Sequence, residues 1–116
     1  MIFFNYSKCS TCIKARKFLE TFTKDFEVLD AKTNKPGKDE IKSWYEKSGL
    51  DIKKFFNTSG NAYKEQGLKD KLKDMSVDEK LELLASDGML IKRPILIQDK
   101  KVLVGFKEEE WKEALK

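Results

Sequence analysis

An α/β fold built on a mixed sheet is predicted for this 116-residue chain by three observations. Two short apolar runs, Ile2-Phe3-Phe4 and Phe26–Asp30, flank a helix-like stretch, which is the pattern of a strand, a crossover helix and a parallel strand. Helical spacing and turn residues fill the middle of the chain. The period then changes to that of a hairpin, with Pro94–Gln98 and Lys101–Val104 separated by the turn residues Asp99 and Lys100. The order of elements is β-α-β, a helical middle, then β-β-α.

The first helix is read over Ile13–Thr23, with Cys12, Ala15, Leu19 and Phe22 recurring at helical spacing to give it an apolar face. Thr33–Gly37 turns the chain, and Ile41, Trp44 and Tyr45 mark a second amphipathic helix that closes near Gly49. Ile52–Phe56 adds apolar anchors. Asn57-Thr58-Ser59-Gly60-Asn61 is a run of turn and capping residues, and Gly67 punctuates the chain before Leu68 and Leu72. Ser76 and Glu79 form a capping-box pattern ahead of Leu81, Leu83 and Leu84, and Gly88 is placed to stop that helix. After Gly105, three glutamates at 108–110 and lysines at 112 and 116 match a helix dipole, with Trp111 and Leu115 spaced to dock on the sheet.

Length and composition fit one domain spanning 1–116. Apolar residues make up 40% and charged residues 38%, the balance of a chain that can bury a core without staples. No apolar run approaches the roughly 20 residues of a membrane span, and Met1–Asn5 is too short and uncharged for a signal peptide, so a cytoplasmic protein with no membrane association is expected. The net charge of +4 comes from 22 lysines and two arginines scattered among 20 acidic residues, with only a modest basic cluster at Lys64–Lys73. That distribution argues against direct nucleic-acid binding.

The chemistry centres on Cys9-Ser10-Thr11-Cys12, which holds the only two cysteines. A thiol at the start of a helix meets unpaired N–H groups and the positive end of the dipole, which favour thiolate over thiol. Cys9 is therefore the candidate nucleophile, and Cys12, about one turn on, can attack a mixed disulfide formed at Cys9. A buried inert pair is the plain alternative. Zinc would need four Cys or His ligands, and the chain has no histidine, so no metal is expected. The hydroxyls and amides of Asn57, Thr58 and Ser59 could cradle an anion, although capping of neighbouring helices is their commoner use. Arg93, one of only two arginines, has a planar fork suited to an oxyanion or a thiolate.

Three stretches carry a resemblance: Tyr6–Cys12, Phe56–Gly60 with Tyr63–Leu68, and Leu90–Ile95. Across essentially its full length the chain resembles the thioredoxin-like arsenate reductase family, in its Spx/MgsR-related branch. The resemblance implies a four-stranded mixed sheet of order 2-1-3-4 with the third strand antiparallel and a central helical insertion. It further implies Cys9 as nucleophile, a cis bond before Pro94, and a substrate site drawing on Asn57, Thr58, Ser59 and Pro94. Where arsenate-reducing members carry further arginines, this chain has Asn57 and Gly105, and unlike those members it has Cys12. The expected activity is thus a thiol-dependent oxidoreductase, with no bound cofactor and with glutathione, thioredoxin or glutaredoxin as electron donor. The alternative is a redox-sensing regulator that acts through RNA polymerase.

Overall fold

The computed structural model describes residues 1–116. Strands β1 (Ile2–Asn5), β2 (Glu27–Asp30), β3 (Ile95–Ile97) and β4 (Val102–Val104) form one sheet of order β2-β1-β3-β4. β1 and β2 are parallel, whereas β3 runs antiparallel to both β1 and β4. The strands fall where the sequence patterns place them, and their order and directions are those that the resemblance implies.

Side chains alternate across the sheet and divide the core in two. Phe3, Leu96 and Leu103 are in register across three strands and point to one face, where Ala15 and Leu19 of α1 (Ser10–Glu20) and Trp111 of α6 (Glu108–Leu115) cover them. Phe4 and Ile95 point to the other face, beneath α2 (Lys38–Ser48), α5 (Val77–Ser86) and the insertion. That insertion contains a 3-10 turn at Ile52–Phe55, α3 (Asn61–Glu65) and α4 (Leu68–Lys71). Trp111 anchors α6: it is fully buried, and its Nε1–H donates to the Gly105 carbonyl at 3.0 Å. Loss of such an indole ordinarily costs about 3–5 kcal/mol.

Several local expectations are met. The capping box closes at α5, where Ser76 Oγ accepts from Glu79 N–H and Glu79 Oε1 accepts from Ser76 N–H, each at 3.1 Å. The hairpin and the final helix form where their patterns placed them.

Others need correction. α1 begins at Ser10, not Ile13, and ends at Glu20, because Cys9 itself serves as the N-cap. Phe22 lies beyond that helix and is 42% exposed, its ring packing on Phe18 instead of on the sheet. Gly88 does not stop α5, since Asp87 ends it in an extended conformation. Gly88 instead permits close approach: a Cβ there would collide with the backbone oxygen of Ala31. The 57–61 run is a turn whose side chains do not cap α3, the N-cap position being Gly60.

Candidate active site

The chain leaves β1 at Asn5 and tightens into a turn in which Cys9 N–H donates to the Tyr6 carbonyl at 3.0 Å. Cys9 is extended (φ −88°, ψ 119°), its carbonyl accepts from Ile13 N–H at 3.0 Å, and its sulfur accepts from Cys12 N–H at 3.4 Å. A cysteine thus takes the place usually held by Ser, Thr, Asp or Asn at a helix start. Its Sγ receives one of the N–H groups that the first turn leaves free. Cys9 is partly accessible and Cys12 is buried, and both are free thiols.

The two sulfurs are unlike. Burial pushes the Cys12 thiol up from 9.0 to about 12, and its hydrogen bond to the Cys9 sulfur adds to that rise. The Tyr6 backbone and the charge of Arg93 pull more weakly the other way. At neutral pH Cys12 is a neutral thiol, which can donate to Cys9 and is itself a poor nucleophile.

Arg93 reaches this loop from the start of β3. Its guanidinium carbon lies 5.3 Å from the centre of the Tyr6 ring, within cation–π range. Nη1 donates to the carbonyls of Met89 and Ile91, each at 3.2 Å, and the buried Nε has no protein partner. Nη1 therefore fixes the arginine, while the buried Nε–H is left without a protein partner. The Arg93–Pro94 peptide is cis, and Pro94 is buried.

The Asn57–Ser59 turn is held beside Arg93 by pairing of its approach with the segment before β3. Asn57 N–H donates to Leu90 O at 2.8 Å and Lys92 N–H to Phe55 O at 2.7 Å, around a bridge between Phe56 and Ile91. Thr58 shares with Arg93 the wall of a groove of about 620 Å³ that also includes Gly105. Asn57 and Ser59 are not on that wall, and Ser59 Oγ donates to Asn57 Oδ1 at 3.4 Å. Gly105 has φ +79°, a conformation in which an arginine would be strained. No three Cys, Asp or Glu side chains converge to hold a metal ion. No helix is long and apolar enough to cross a membrane. Tyr6 has no assigned role in the sequence-based expectations, although it opens the Tyr6–Cys12 stretch that carries the resemblance.

A four-stranded mixed sheet of this order, with a C-x-x-C motif opening the first helix and a cis proline entering the third strand, defines a thioredoxin-like protein. More narrowly, the chain belongs to the ArsC family, whose model matches residues 4–114. It is 56% identical over 113 residues to the uncharacterized protein YusI of Bacillus subtilis (strain 168), covering 97% of this chain and 96% of that one. A more distant relative is the regulatory protein MgsR of the same organism, 27% identical over 95% of this chain and 86% of that protein. Among solved structures, an ArsC family related protein from Bacteroides fragilis matches with a TM-score of 0.92 and 46% identity, covering 99% and 96% of the two chains. A possible arsenate reductase from Streptococcus mutans UA159 matches with a TM-score of 0.85 and 47% identity, covering 96% of each.

Proposed function

We propose that this protein is a cytoplasmic thiol–disulfide oxidoreductase in which Cys9 is the nucleophile and Cys12 the resolving thiol. The observation that carries this reading is the asymmetry of the pair: Cys9 is accessible and receives the Cys12 N–H at the helix start, while Cys12 is a buried neutral thiol.

In the first step Cys9 thiolate attacks one sulfur of a substrate disulfide. A bond forms from Cys9 Sγ to that sulfur, the substrate S–S bond breaks, and the departing thiolate takes a proton. The Cys9 sulfur then no longer accepts the Cys12 proton. Cys12 gives up that proton, attacks Cys9 Sγ and releases the second substrate thiol. The substrate gains two electrons, and Cys9 and Cys12 become a disulfide. Two equivalents of a thiol such as glutathione, or one dithiol protein of the thioredoxin or glutaredoxin kind, return the pair to the reduced state. Arg93 supports the first step by its charge beside the cysteine loop. Thr58 lines the groove beside Arg93, buried Pro94 follows Arg93 through the cis bond, and Asn57 and Ser59 shape the turn that carries Thr58.

The likeness to the regulatory protein MgsR supports a second reading as a regulator, for which the family resemblance implies action through RNA polymerase with the cysteine pair as switch. Multiple turnover separates the two. Reduction of a model disulfide by catalytic protein with excess glutathione, lost in Cys9→Ser, is the expected result. Capture of RNA polymerase with no turnover would overturn the oxidoreductase in favour of the regulator.

A further inference from the structure

The groove beside Arg93 is lined by five cations, Lys53, Lys54, Lys92, Arg93 and Lys107, and by one carboxylate, Glu110. A smaller hollow of about 260 Å³ shares Lys53 and adds Lys69, Lys73 and Lys80, with Asp51 as its only acid. One Asp51 carboxylate oxygen is already engaged, accepting from Lys53 N–H at 2.9 Å. Eight of the chain's 24 Lys and Arg residues therefore stand here against two of its 20 carboxylates, so the rest of the surface is slightly acidic although the whole carries +4.

None of these eight cations is in an ion pair. The salt bridges of the molecule involve Arg16, Lys38 and Lys116, with Lys38 placed between Asp78 at 2.8 Å and Glu82 at 3.1 Å. Most lysines elsewhere are likewise unpaired, so what sets these eight apart is that like charges are gathered around concave surface with only two carboxylates among them. Such an arrangement raises the local concentration of anions and steers them inward. The groove also has an apolar lining of Leu50, Phe56, Val104 and Phe106, which a fully hydrated ion would not use. Its volume of about 620 Å³ exceeds what a single oxyanion fills, and Lys53 also lines the neighbouring hollow.

We infer that this basic groove docks an acidic polypeptide segment of the disulfide substrate, so that the proteins reduced at Cys9 are those whose disulfide is flanked by Asp and Glu. That the occupant is a polypeptide carrying a disulfide rests on the thiol chemistry proposed above, since a nucleic acid brings no sulfur to Cys9. Seven of the eight cations are lysines, flexible point charges that can follow the spread carboxylates of an acidic segment. Apolar side chains of the segment would meet Val104 and Phe106. Arg93 joins the two regions, touching the Tyr6 ring on one side and the groove on the other.

Two readouts on the full chain test this. Fluorescence anisotropy would follow cysteine-free peptides of equal length with acidic, neutral or basic residues. The acidic peptide is expected to bind at least about tenfold more tightly than the neutral one at low ionic strength, with the advantage shrinking as salt rises. Charge reversal at Lys54→Glu with Lys107→Glu is expected to bring that ratio to about one, whereas the same change at Lys17 and Lys24, outside the groove, is expected to keep it. Equal binding of the three peptides, or a ratio that survives the groove reversal, would overturn the inference. So would groove-dependent binding of a single-stranded RNA with no preference among the peptides. Single-turnover reduction of the same peptides bearing a thiopyridyl mixed disulfide reads the chemistry separately: acidic preference in binding with no thiol transfer would sink the oxidoreductase and leave the docking surface standing.

Discussion

Arg93 lies over the ring of Tyr6 at 5.3 Å, and the carbonyl of that same Tyr6 receives the N–H of Cys9 at 3.0 Å. One residue thus joins the cation to the nucleophile, with Arg93 itself held by the Met89 and Ile91 carbonyls. The guanidinium is a positioned group, not a wandering surface charge.

Arg93→Lys keeps the charge and loses the fork. Disulfide reduction is expected to slow roughly tenfold, the equivalent of about one hydrogen bond. Arg93→Met also strands two carbonyls and is expected to cost about 1–3 kcal/mol in urea unfolding. Unchanged rates in Arg93→Lys would remove the guanidinium from the chemistry.

Cys12 makes stability depend on pH at the alkaline end. Its folded pKa, about 12, lies above its ordinary 9.0, so the folded protein keeps a proton that the unfolded chain gives up. Stability from this group is therefore complete below about pH 9 and falls as pH rises from 9 toward 12, by at most about 1.4 kcal/mol per pH unit. Urea unfolding between pH 8 and roughly 10.5 should show a steeper loss in the wild type than in Cys12→Ala. Parallel slopes would mean that Cys12 titrates as an open thiol.

Gly88→Ala is expected to destabilise by about 3 kcal/mol, because the new methyl group would meet the Ala31 backbone, which cannot swing aside as a side chain could. A thermal or urea midpoint within error of wild type would show that the contact relaxes freely.

Gly88 also shows where sequence reading stops. A glycine after an apolar helix looks like a stop signal, but the cause here is tertiary: Ala31 belongs to the far side of the crossover, and no local pattern announces the contact. The strands, by contrast, are legible because the short apolar runs and the hairpin turn mark them locally, while their order in the sheet follows from the family resemblance. The capping box at Ser76 and Glu79 could be read for the same local reason. The start of α1 was misplaced because cysteine is an unusual N-cap. Cys9, Cys12 and Arg93 stood out by type and spacing, and the structure gathers them around Tyr6. The basic groove did not, since Lys53 and Lys54, Lys92 and Arg93, and Lys107 come from three distant segments, each unremarkable in its own stretch.

Arsenate is expected to be a poor substrate. Gly105 brings no side chain to the wall it shares with Arg93, and Asn57 is uncharged and off that wall. The groove lysines offer point charges in place of forks, and each missing charge-assisted hydrogen bond is worth roughly 1.5–3 kcal/mol. Arsenate-dependent oxidation of glutathione, with and without added glutaredoxin, should stay near the rate without protein. Brisk turnover would show that lysines suffice.

The division of labour between Cys9 and Cys12 is tested most directly by trapping. Reduced Cys12→Ser mixed with a model disulfide should accumulate a mixed disulfide at Cys9, located by mass of the peptide that carries it. The wild type should pass through that adduct to an intramolecular Cys9–Cys12 bond with release of both substrate thiols, and Cys9→Ser should form neither. An adduct at Cys12 in Cys9→Ser, formed as fast as the one at Cys9, would contradict the account.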